Sequence, residues 1–244
     1  MHPPQPRMNW APALGLGIAA VWVGTLGACV PRELAPGPDA DQPIPVQLAP
    51  AELITGDGYV LPVRSWLPES GDGAMAPKAV VVALHGFNDY SNAFAGPGAW
   101  LAERGIAVYA FDQRGFGATA DRGMWPGTET MIDDLRAMIA RLRSQYADVP
   151  LYGLGESMGG AVMLTGWAQE PFDLDGIILA GPAVWGRAGM PGYMQTGLWI
   201  FAHTLPWLRL SPENLDYIPS DNIEMLRALG RDPLVIKETR VDAM

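Results

Sequence analysis

Apolar runs recur through the middle of the chain at intervals that helices can fill. Ala79 to Leu84 (Ala-Val-Val-Val-Ala-Leu) shows no polar alternation, the pattern of a strand buried on both faces of a parallel sheet. Ile106 to Phe111, Val149 to Leu154 and Gly176 to Ala180 are shorter or similar runs that read as further strands. Between them, Met131, Ile132, Leu135, Met138, Ile139 and Leu142 fall near helical spacing, and Thr128 or Thr130 can cap a helix running through Tyr146. Asn92 to Arg104 predicts a second helix, its start broken or delayed by Gly96-Pro97-Gly98, and Met158 to Ala168 a third. Ahead of these, Gly56-Asp57-Gly58 separates two strand-like pieces within residues 51–67, a hairpin opening the sheet. Strands alternating with helices predict an α/β fold with a mostly parallel sheet over residues 51–181.

Three stretches break this rhythm. Residues 1–28 place Arg7 before an apolar run from Trp10 to Ala28, and the run closes on Leu26-Gly27-Ala28-Cys29. A charged start, an apolar middle and small residues before a cut site describe an export signal. Leu-Gly-Ala-Cys resembles the lipobox of bacterial lipoproteins, in which the signal is removed and the new N-terminal cysteine is acylated. An uncleaved membrane anchor and a buried cysteine without a role are the alternatives. The lipobox implies an exported protein held to a bacterial envelope membrane through Cys29, and Val30 in place of aspartate resembles lipoproteins sent to an outer membrane. Residues 29–50, dense in Pro, Ala and Asp, read as an extended tether. Residues 182–244 are rich in Met, Trp and Leu without a strand run, and Met194 to Leu208 reads as an apolar helix ending near Pro206. Such a segment is either a lid over an apolar substrate or helices covering the sheet.

Composition removes several function classes. The 244 residues are 49% hydrophobic and 17% charged, enough to bury a full core. Sixteen Lys plus Arg against twenty-six Asp plus Glu leave a net charge of -10, the wrong sign for binding a nucleic-acid backbone. A single cysteine builds neither an internal disulfide framework nor a thiolate metal site. His2, His85 and His203 lack ligand spacing such as H-E-x-x-H, so a metal site is not expected.

The chemistry is concentrated at Leu154-Gly155-Glu156-Ser157-Met158-Gly159-Gly160. A serine with glycines two before and two after it matches a nucleophile elbow, where a strand turns sharply into a helix. Side chains at Gly155 or Gly159 would collide with the neighbouring strand or helix, and Ser157 at the tip is the candidate nucleophile. His85-Gly86-Phe87 follows the Val-rich strand. Acyl transfer needs donors aimed at the oxyanion, and in an elbow arrangement these are the amide after the serine and one from this loop. Those amides belong to Met158 and Phe87.

Together His85-Gly86-Phe87, Phe111-Asp112-Gln113-Arg114-Gly115-Phe116-Gly117 and Gly155 to Gly160, in this order, resemble the monoacylglycerol lipase and lysophospholipase group of the α/β-hydrolases. The resemblance covers about Glu52 to the end and implies a lid-type insertion after the strand at 176–180. It implies hydrolysis of a lipid ester through an acyl-serine, no cofactor, and a structural role for the Asp112 to Gly117 turn. It also implies a catalytic Asp or Glu and then a His after the serine. His203, the one histidine after Ser157, falls inside the apolar helix and reads as a lid residue, whereas His85 shapes the oxyanion loop. The triad acid and base, with the last strands of the sheet, are therefore expected beyond residue 244, and these residues alone would be a very poor enzyme. A peptidase of the proline-iminopeptidase type and a catalytically dead lipoprotein that binds a lipid or envelope partner are the competing functions. Oligomeric state, acyl length and head group have no sequence signal.

Overall fold

The computed structural model describes residues 31–70, 73–184, 189–211 and 220–244. A seven-stranded sheet carries strands β1 Gln47–Ala49, β2 Glu52–Ile54, β3 Val60–Trp66, β6 Ala79–Leu84, β7 Ile106–Phe111, β8 Leu151–Glu156 and β9 Gly176–Ala180. Two further strands, β4 Glu69–Ser70 and β5 Gly73–Ala74, form a separate ribbon. The sheet order is β1-β2-β3-β7-β6-β8-β9. From β7 to β9 every pairing is parallel, and from β1 to β7 every pairing is antiparallel.

The parallel pairings follow from burial. All residues of β6 after the first are buried, and Leu84 pairs with Gly155 while Glu156 pairs with Ala180. This register brings the C-terminal ends of β6, β8 and β9 to one edge of the sheet, where the loops carrying His85, Ser157 and Gly181 emerge. Ligands of open α/β sheets gather at that edge.

Helices α1 Ala95–Ala102, α2 Thr128–Gln145 and α3 Met158–Gln169 connect the strands. The apolar positions expected on α2 are all buried, forming one core with Val80, Val82, Phe111, Leu151 and Met163. Its cap differs from expectation. Gly127, at φ 86°, holds the N-cap position without a side-chain hydrogen bond, and Thr128 is already helical. Gly96-Pro97-Gly98 lies inside α1 rather than before it, because a short 3-10 turn at Ser91–Phe94 starts the segment and proline is tolerated in a first helical turn. Gly98 is needed there because a side chain would enter the Trp66 ring.

The segment expected as a tether is extended, but from residue 33 onward it is fastened to the core. Leu34 donates its amide to the Trp125 carbonyl, Asp39 to that of Asp57 and Ile44 to that of Gly56, and the segment ends in β1. Residues 1–28 and Cys29 lie outside the described residues. Beyond β9 come helix α4 Gly192–Thr204, helix α5 Ile223–Arg231 and a ribbon of β10 Arg209–Leu210 with β11 Thr239–Arg240. The expected helix at 194–208 thus starts earlier and stops before Pro206. Among these elements, here termed the cap, no residue of α4 or α5 is buried.

Candidate active site

Ser157 sits between β8 and α3 with φ 49° and ψ -112°, a left-handed conformation that a side-chain-bearing residue adopts at a cost of about 1–3 kcal/mol. The surroundings hold it there. Its amide donates to the Ala180 carbonyl at 3.0 Å, and its carbonyl accepts from Ala161 and Ala183. The flanking glycines have the steric reasons expected of them. A Cβ on Gly155 would stand 2.6 Å from the Gly160 Cα, and one on Gly159 would overlap the Leu84 carbonyl of β6. Gly160 is equally constrained, its Cβ position lying 2.9 Å from Pro182. Strand and helix therefore meet closely enough to expose the serine, which is only half-buried.

The loop after β6 is organised by His85, which is fully buried. Its Nε2 accepts the Gln113 amide at 3.0 Å, so Nδ1 carries the proton and donates to the Gly86 carbonyl at 2.8 Å. Burial pushes the imidazole down to about 4, outweighing the Gly86 bond and nearby Asp112, both of which favour the charged ring. A neutral, fixed ring serves the loop as a structural strut. The Phe87 ring meets the Phe116 and Trp125 rings at 5.6 and 6.4 Å. Its amide enters no hydrogen bond with another backbone group among the described residues, and Met158, as first residue of α3, has no acceptor one turn earlier.

The Asp112 to Gly117 turn is structural in the way the resemblance implies. Asp112 is buried and accepts the amides of Ser91 and Ala118 at 2.9 Å each. Arg114 is buried between two carboxylates, contacting Asp134 at 2.8 Å and Asp57 at 2.6 Å. Burial alone would raise Asp57, but Arg114, Thr55 and the Gly37 amide hold it well below the usual carboxylate range. Asp134, more deeply buried, is pushed up to about 6 by desolvation against the pull of Arg114. Their shared arginine ties the β2–β3 turn to α2.

His203 is half-buried on α4, its Nδ1 bonded to the Trp199 carbonyl at 2.7 Å and its ring stacked on Trp199 at 4.3 Å. None of its contacts is with Ser157. Among the described residues no group of three His, Cys, Asp or Glu side chains gathers as a metal site.

Sequence reasoning missed what fastens the cap. Asn88, at φ 65°, donates through Nδ2 to the Thr239 hydroxyl at 2.6 Å, and its carbonyl accepts the Ile236 amide. Tyr90 donates its hydroxyl to Asp232 at 2.6 Å, and Arg122 reaches the Pro233 carbonyl. The cap is thus anchored one to three residues from Phe87. Partners 151 and 142 residues apart leave no local signal. Glu156, whose carboxylate lies against Gly86, was likewise invisible beyond its place in the elbow.

These features agree with what the chain is similar to. A family model described as serine aminopeptidase, S33 matches residues 75–244. A monoacylglycerol lipase of Mycolicibacterium smegmatis is 25% identical over 180 residues, 73% of this chain and 59% of the relative. The monoglyceride lipase of Rattus norvegicus is 28% identical over 144 residues, 59% of this chain and 46% of the relative. The chain therefore spans about half the length of these relatives. Among solved structures, a soluble variant of the monoglyceride lipase from Saccharomyces cerevisiae superposes with a TM-score of 0.60 at 21% identity, covering 86% of this chain and 69% of the other. The Paleococcus ferrophilus monoacylglycerol lipase gives a TM-score of 0.57 at 22% identity over 74% and 66% of the two chains. At such identities these structures speak for the fold, which is that of the α/β-hydrolases. With its sheet order, its glycine-bound serine turn and a family model running from residue 75 to residue 244, the chain belongs to the serine aminopeptidase S33 family of α/β-hydrolases.

Proposed function

We propose that the protein is a serine hydrolase of carboxylic esters of the monoacylglycerol or lysophospholipid type, with Ser157 as nucleophile. The observation that carries this reading is the strained Ser157 backbone between two glycines that have no room for a side chain. In the proposed cycle the Ser157 oxygen attacks the ester carbonyl, giving up its proton to a general base. The tetrahedral oxyanion forms facing the Phe87 and Met158 amides. The intermediate collapses with departure of the alcohol, which takes a proton, and water hydrolyses the acyl-Ser157 to release the fatty acid. His203 is not assigned as that base, because its Nδ1 is engaged within its own helix.

The lipid ester is favoured by the names of the relatives and by the apolar cap. Trp199 is 53% and Phe201 48% exposed, so α4 presents aromatic surface next to a cap anchored on the Phe87 loop. A fluorophosphonate probe tests the nucleophile. It is expected to label the full-length protein and not its Ser157→Ala variant, and equal labelling of both would remove Ser157 from the reaction. The family model's description favours a peptidase as second reading. Hydrolysis of aminoacyl-proline substrates without hydrolysis of p-nitrophenyl esters would decide for it.

We further propose that acylated Cys29 holds the protein to an envelope membrane. Its support is the Leu26-Gly27-Ala28-Cys29 sequence. Among the described residues no helix is long and apolar enough to cross a membrane. Radioactive fatty acid should enter the wild type and not Cys29→Ala.

A further inference from the structure

Glu156 ends β8 immediately before the nucleophile, and no step of the proposed cycle uses it. Its carboxylate lies against the loop after β6. It occupies the space a Gly86 side chain would need, and the nearby Gly86 amide favours its charged form. The other end of the same residue is gripped as well. The Gly86 carbonyl accepts from His85 Nδ1 at 2.8 Å and from the Asp89 amide at 3.3 Å.

That carbonyl belongs to the peptide unit whose N–H is the Phe87 amide. A trans peptide is planar, with its N–H directed opposite to its C=O. Two bonds on the Gly86 carbonyl and the Glu156 carboxylate packed against Gly86 therefore set the direction of the Phe87 N–H. On the ester-hydrolase reading above, we propose that Glu156 is a positioning residue for acyl transfer, its carboxylate holding the Gly86 amide so that the Phe87 N–H faces the carbonyl that Ser157 attacks. Because Glu156 and Ser157 are consecutive, one strand end places the nucleophile and, through Gly86, the donor opposite it.

The chemistry of the position argues against simple packing. Glu156 is half-buried and has acidic Asp89 nearby, and both conditions disfavour a carboxylate. Asp89 is itself under pressure from burial and from Asp232 and Asp112. An apolar residue of similar size would avoid these costs, so a space-filling role predicts that leucine is tolerated or stabilising. A positioning role predicts a leucine variant that folds and reacts slowly.

The test compares wild type, Glu156→Leu and Glu156→Gln on p-nitrophenyl esters and with a fluorophosphonate probe. Loss of a single oxyanion donor costs roughly 100- to 1,000-fold in kcat. A donor left in place but misdirected should cost Glu156→Leu about 10- to 100-fold in kcat and in labelling rate, with KM within about threefold of wild type. Glu156→Gln keeps an oxygen that accepts from Gly86 and should recover most of the loss. A reactive wild type with an equally reactive Glu156→Leu, or a glutamine variant no better than leucine, overturns the positioning role and leaves the hydrolase reading intact. A full-length wild type inert to both ester and probe overturns the hydrolase reading and the role that rests on it. If Glu156→Leu does not fold, the amide resonances of isotope-labelled wild type decide. The Gly86 amide should move with the titration of Glu156 and lose that movement in Glu156→Gln, and a Gly86 amide indifferent to Glu156 overturns the inference.

Discussion

Gly159 has no side chain because the Leu84 carbonyl of the neighbouring strand occupies the place where one would begin. Gly159→Ala must separate α3 from β6, and overpacking of this kind costs about 1–3 kcal/mol. The denaturant midpoint should fall accordingly, and probe labelling of Ser157 should fall with it because the same contact sets the serine's position. His85 makes a different prediction. Its ring is neutral when folded, at about 4, against 6.5 for the ordinary group. Below pH 6.5 the unfolded chain takes up a proton that the folded ring refuses, so this contribution is complete above 6.5 and lost as the pH falls toward 4. The difference amounts to about 3 kcal/mol. Asp134, raised to about 6, binds its proton earlier in the folded state and so adds stability as the pH falls through part of the same range. Comparison with a variant isolates the histidine. The stability advantage of wild type over His85→Asn should shrink by about 3 kcal/mol between pH 7 and pH 4, read from denaturant unfolding at each pH. Of the individual residues, the serine turn and its elbow glycines were legible, since they follow from a local backbone requirement. The tautomer of His85 was not, because it depends on Gln113, 28 residues away.

At the scale of elements, strands β6 to β9 and helices α2 and α3 could be read from apolar pattern with ends off by one or two residues. Burial on both faces leaves a continuous apolar run, and one buried helix face leaves a period near 3.6. The ribbon of β10 and β11 could not be read, since two-residue strands carry no period and exist through their pairing. The cap's attachment is equally tertiary, and it carries its own prediction. Asn88→Ala combined with Asp232→Ala removes the Thr239 and Tyr90 bonds, each worth about 0.5–1.5 kcal/mol net and more where a charged group takes part. Limited proteolysis should then cut within residues 220–244 several-fold faster, while hydrogen exchange of the amides in β6 and β8 stays unchanged. Exchange that rises equally in the sheet would mean that the cap and the core unfold together.

For the whole molecule, the charge of -10 acts on association with a substrate surface. Ester presented in anionic vesicles should be hydrolysed more slowly than the same ester in zwitterionic vesicles at low salt. The gap should close as the screening length falls from about 10 Å at 0.1 M to about 3 Å at 1 M. Equal rates on both vesicle types at low salt would show that net charge does not govern the encounter. Sequence alone determined the α/β class and the position of the glycine-flanked serine turn, because these rest on short-range sterics and on periodicities that a linear chain displays. Tertiary structure decided which residues hold those parts in place. Arg114 between Asp57 and Asp134, the cap moored at Asn88 and Tyr90, and Glu156 against Gly86 are contacts between distant segments. Closing such contacts depends on where the sheet register brings the strand ends, and at the elbow that register sets Leu84 beside Gly155 and Glu156 beside Ala180.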